Sequence, residues 1–140
     1  MFRRSPLLAA LGAAFLAIAM TSCGSPTIPN AGRVLLAIAV TPAQADAQKL
    51  GGQVVFTANG TFSVAPSPAP VTFVAPYTGG FAVATNSSNQ EIATIVSTGP
   101  GTATVQCVAG MSGTVEVGAT ASANNGTSTS VSGSAQISCP

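Results

Sequence analysis

Charge is what this chain has least of. Of its 140 residues four are basic and three acidic, so 5% are charged, where a soluble domain ordinarily carries about a quarter. Histidine and tryptophan are absent and tyrosine occurs once. General acid-base chemistry needs positioned titratable groups, and only Asp46, Glu91 and Glu116 supply carboxylates, far apart along the chain. Each reads as a solvated surface charge. Lys49 is the single lysine, leaving the many serines without an activating base. No close group of His or Cys exists to hold zinc. Asn86 to Glu91 offers oxygens to a cation, but a turn is the simpler reading. A net charge of +1 gives no footprint for nucleic acid. The expectation is therefore no enzyme activity, no cofactor, no metal and no nucleic-acid partner. Disorder is excluded too, because it requires low hydrophobicity and 46% of the residues are hydrophobic.

The N-terminus is an export address. Arg3 and Arg4 precede an apolar run of about 14 residues, Leu7 to Met20, the length of a signal h-region and short for a membrane span. Met20-Thr21-Ser22-Cys23-Gly24-Ser25 resembles a bacterial lipobox, which implies cleavage before Cys23, acylation of its sulfur and amine, and attachment of the mature chain to a membrane. Two other readings stay open: cleavage after Ala17-Ile18-Ala19, and retention of the segment as an anchor. The expected layout is a signal peptide over 1–22, a Pro, Gly and Ser tether over 23–32, and one domain over 33–140. The expected location is the bacterial cell envelope, lipid-anchored at the outer membrane.

Three cysteines make an odd number in an exported chain, and one needs a separate use. Assigning Cys23 to lipid leaves Cys107 and Cys139 for a disulfide in an oxidising compartment. Two buried thiols are the competing reading.

The remaining chain shows no helical periodicity. Short runs of Val, Ile, Thr and Phe recur between turn signals, as in an all-β sandwich. The predicted strands are Val34 to Val40, almost continuously apolar and so read as buried; Gln53 to Phe62; Val71 to Ala75 after Pro66, Pro68 and Pro70; Phe81 to Thr85; Ile92 to Val96; Thr102 to Cys107; Thr114 to Ala121; and Val131 to Cys139. Period-two parity puts Val54, Phe56 and Ala58 on one face, and likewise Ala103, Val105 and Cys107; Val115, Val117, Ala119 and Ala121; and Val131, Ala135, Ile137 and Cys139. Both cysteines thus lie on apolar faces, where an internal disulfide fits. Asn124-Asn125-Gly126 reads as the turn into the last strand, which is then expected beside both preceding strands. Three sequons, at Asn59, Asn86 and Asn125, also read as turns.

Several segments resemble the group 2 bacterial immunoglobulin-like domain of adhesins and envelope lipoproteins, over residues 34–121. They are Val40-Thr41-Pro42, LGGQVVFTANGTF from Leu50 to Phe62, SSNQEIATI from Ser87 to Ile95, and AGMSGTVEVGATA from Ala109 to Ala121. Thr85 stands where that family commonly has tryptophan, and the proline stretch and final cysteine-bearing strand lie outside its pattern. The resemblance implies an immunoglobulin-like β-sandwich of about seven to eight strands, no catalytic residue, and a structural, adhesion or protein-interaction role. The alternative is a carbohydrate-binding module or an accessory subunit of an envelope assembly. Tyr77 and Phe81, beside the proline stretch, are the candidate contact residues for an envelope protein or glycan, with core or loop packing the simpler reading of Tyr77.

Overall fold

The computed structural model describes residues 32–124 and 128–140. The expected signal peptide over 1–22, Cys23, almost all of the expected tether and the Asn125-Gly126-Thr127 stretch lie outside the described residues. Among the described residues nine strands form: β1 Leu35–Thr41, β2 Gln44–Asp46, β3 Gln53–Phe62, β4 Ala69–Pro70, β5 Gly79–Val83, β6 Ala93–Gly99, β7 Thr102–Cys107, β8 Gly113–Ser122 and β9 Ser130–Cys139. One sheet runs β1-β3-β7-β6, with β4 beside the end of β3, and the other runs β2-β9-β8-β5. The two pack as a β-sandwich around one apolar core.

Parity does most of the positioning. Along β3, β7, β8 and β9 the alternate residues named above turn inward as predicted, and Phe56, Val105, Val117 and Ile137 are completely or almost completely buried. The other faces carry hydroxyls and amides. Cross-strand pairs join Thr114 to Ser138 at 2.9 Å, Thr120 to Ser132 at 2.8 Å and Thr78 to Ser122 at 3.0 Å. Neutral side chains thus bond across the ladder where charged pairs would ordinarily stand.

Several expectations need correction. Among the described residues there are nine strands where about seven to eight were expected, because two short strands carry no apolar alternation to reveal them. Pro42 lacks the donor for continued pairing with β3, and the chain then changes sheets, so that β2 pairs parallel with β9. β9 accordingly lies between β8 and β2 and does not pair with β7. β1 is an edge strand with a register shift between Leu35 and Ala37, and Leu36 is 58% exposed; the apolar run is not buried throughout. Gly133 lets β1 approach β9, since a Cβ there would overlap the Ile38 carbonyl.

Val71 to Ala75 is not a strand. Prolines on both sides remove ladder donors, and only the fully buried Val71 continues alongside β3, its N–H donating to the Ala58 carbonyl at 2.9 Å. β5 begins two residues before its predicted start, with Gly79 opposite Ala121, so the glycine pair belongs to the strand. β6 runs on to Gly99 through a bulge between Ile95 and Ser97. Asn59-Gly60-Thr61 lies inside β3, and Leu35, Val71 and Phe62 fill the space beside Gly60.

Candidate functional site

The strand directions define two ends of the sandwich. β7 and β9 finish at one, and there Cys107 and Cys139 form a disulfide with Cα atoms 5.7 Å apart. The bond joins the two sheets, because β7 belongs to one and β9 to the other. Asp46, Lys49 and Glu91 lie at or near this end, and Glu116 faces outward on β8. Among the described residues no three His, Cys, Asp or Glu side chains gather into a metal-binding group. In the Asn86 to Glu91 loop, Asn86 Oδ1 accepts the N–H groups of Ser88 and Gln90 at 2.9 Å. That oxygen therefore closes an Asx turn.

The opposite end, where the chain enters β1, gathers the aromatic side chains. Tyr77 is 5% exposed, its ring centroid 5.1 Å from that of Phe62, and its hydroxyl donates to the Arg33 carbonyl at 2.9 Å. The Arg33 guanidinium stacks 3.6 Å from the Phe62 centroid and donates to the carbonyls of Val64 and Pro66. Residues 63–78, rich in proline, are thus held down by one tyrosine and one arginine. Of the two readings of Tyr77, core packing fits and contact does not: its ring is buried and presents no face to a ligand.

Phe81 differs. It is half-buried on β5, and its ring meets Phe73 edge-on with centroids 5.2 Å apart. Between these rings and β6 is a cleft of about 300 Å³, lined by Thr72, Phe73, Gly80, Phe81, Thr98 and Thr102 among others. No charged side chain lines it. Phe73 has φ of 59°, a left-handed conformation rare for an aromatic residue and of the kind that gathers at functional sites. Of the residues lining this cleft the sequence singles out Phe81 and not Phe73, Thr98 or Thr102, which come from a loop and two other strands. The proline-bounded VTFVAP and the Gly79-Gly80-Phe81 triplet were the only local signals.

Chemically, the cleft offers two aromatic edges, threonine hydroxyls and strand-edge backbone. It has no nucleophile-base pair, and suits binding of an uncharged group. Compared with known family models, curated proteins and solved structures, the chain matches none. What the fold and cleft define together is an all-β sandwich with an uncharged surface site.

Proposed function

We propose that the protein is a non-catalytic, lipid-anchored module of the bacterial envelope with an immunoglobulin-type sandwich, acting by binding another protein. The observation that carries the fold part is strand order. β1-β3-β7-β6 facing β5-β8-β9 follows the ABED and CFG sheets of that architecture, with β2 as an added edge on the last strand. The likeness in Val40-Thr41-Pro42 and the later segments supports the group 2 bacterial type. The cystine joins the ends of β7 and β9, the positions of strands E and G. It is not the B–F bridge of antibody domains.

Two features support the anchored, exported reading. A disulfide persists in an oxidising compartment, and the remaining cysteine sits in the lipobox-like sequence. Two or three acyl chains hold a protein stably, each buried CH2 contributing about 0.8 kcal/mol. Scattered carboxylates and the uncharged cleft support binding over catalysis. Labelled palmitate fed to cells expressing the full chain tests the anchor. Label should enter the wild type and be lost in Cys23→Ala, and label persisting in that variant would defeat the proposal.

A further inference from the structure

We infer that the cleft between β5 and β6 is a peptide-binding site, where an extended, uncharged segment of a partner protein adds to the sheet beside β5 and seats one apolar side chain between Phe73 and Phe81. This rests on the reading of the domain as a binding module, and not on its lipid anchor.

The argument starts from the strand edges. An unprotected edge invites pairing with other chains, and proteins blunt edges with charge, proline, bulges or covering elements. Three of the four edges here are treated so. β1 packs against β9 through Gly133. β2 is three residues long and carries Asp46. β6 is broken by its bulge. β5 is five residues, Gly-Gly-Phe-Ala-Val, without charge or proline, and its register with β8 is unbroken.

The backbone pattern says which groups it offers. Ser122 N–H donates to the Thr78 carbonyl and Ala84 N–H to the Glu116 carbonyl, both at 2.9 Å. By antiparallel alternation the groups of Gly80 and Ala82 then face β8, and those of Gly79, Phe81 and Val83 face the open side. An added strand would find three consecutive outward-facing donor-acceptor sets.

The side-chain pocket lies where such a strand would need it. Gly79, Phe81 and Val83 face inward, opposite the buried Ala121, Ala119 and Val117. An inward residue of a strand beside β5 would therefore enter the seam between the sheets, toward Phe81, Phe73 and Thr98. Strand addition draws affinity from backbone bonds and selectivity from such pockets. Gly80 fits this use, because a Cβ there would meet nothing within 4 Å; packing does not require the glycine that leaves the rim open.

A second copy is a poor occupant. Its own β5 would present Phe81 and Val83 packed against its own core and, outward, only Gly80 and Ala82, so nothing would fill the cleft. The uncharged lining likewise disfavours a charged side chain, whose desolvation would go uncompensated.

The test is selection of a displayed library of random peptides about nine residues long, the span of a strand, on the purified full chain. Enriched peptides should be uncharged, with alternating apolar residues and no proline at their centre. Their affinity should fall by about tenfold or more for Val83→Pro, which removes an edge N–H without touching the β8 ladder, and for Thr98→Lys, which puts a charge in the cleft. Both variants are checked by thermal melting; if Val83→Pro does not fold, Thr98→Lys decides. No enrichment over an unrelated immobilised protein, or peptides that bind both folded variants as well as wild type, would overturn the proposal. So would a glycan array on which uncharged sugars bind at the cleft while no peptide does. Failure of the palmitate experiment would leave this result unaffected.

Discussion

The two ends of the sandwich are secured by different chemistry. At the far end a covalent bond ties β7 to β9, and the side chains around it are small or aliphatic, with Ala93, Val115, Ile92 and Ile137 buried. At the end nearest the chain's entry, Phe62, Tyr77 and Arg33 interlock, with no disulfide there among the described residues. Aromatic rings bury large areas and fix the proline-rich segment in one step. Where the chain supplies no aromatic anchor but small and aliphatic residues, the cystine adds closure. Of the 22 buried apolar residues among those described eight are alanine, each adding little transfer free energy, so the cystine matters to the stability of the whole domain.

Substitutions should separate the two ends. Tyr77→Ala is expected to have the largest effect, a loss of about 3 to 5 kcal/mol as for other buried aromatics, read as a lowered urea midpoint. Replacing both Cys107 and Cys139 by alanine should cost about 3 to 4 kcal/mol for a loop whose ends are 32 residues apart. Reductant should lower the wild-type midpoint to a similar extent and leave the double variant unchanged. Gly133→Ala should cost about 1 to 3 kcal/mol, as overpacking does, because the new Cβ pushes on the Ile38 carbonyl. Smallest, Arg33→Gln should lose about 0.5 to 2 kcal/mol of cation-π stabilisation. Its signature is local: faster amide exchange or proteolysis within residues 63–78, with the cystine end unaffected.

Stability is about 5 to 15 kcal/mol for domains of this kind, so either of the first two changes removes a large share. Equal loosening of both ends by Tyr77→Ala, seen by amide exchange, would contradict the division described above. A protected cystine end with a frayed aromatic end would sharpen it.

The pattern of legibility follows the same division. β3, β7, β8 and β9 were readable because residues alternate without interruption, and inward parity at Cys107 and Cys139 located the bridge. The strands that failed, or slipped, depend on information outside their own residues. β2 exists because Pro42 ends one pairing and β9 offers another. β5 starts at glycines, which carry no strand signal of their own. Val71 looked like a strand start but is a single buried anchor. The cleft was half legible. Phe81 stood out beside its glycines, whereas Phe73 reaches it only through a left-handed backbone that no spacing rule announces. Tyr77 was legible as a packing residue, but its partners were not, because Phe62 and Arg33 are 15 and 44 residues away in sequence.

Cys107 and Cys139 close the far end as a disulfide, and the proposed function gives Cys23 a separate use as the lipid-bearing residue. Intact-mass and N-terminal mass spectrometry of the protein, purified from membranes without reductant, tests that assignment of the three cysteines most directly. The prediction is a chain beginning at an acylated Cys23, with Cys107 and Cys139 joined and no free thiol. A chain beginning elsewhere, or one with two free thiols, would contradict it.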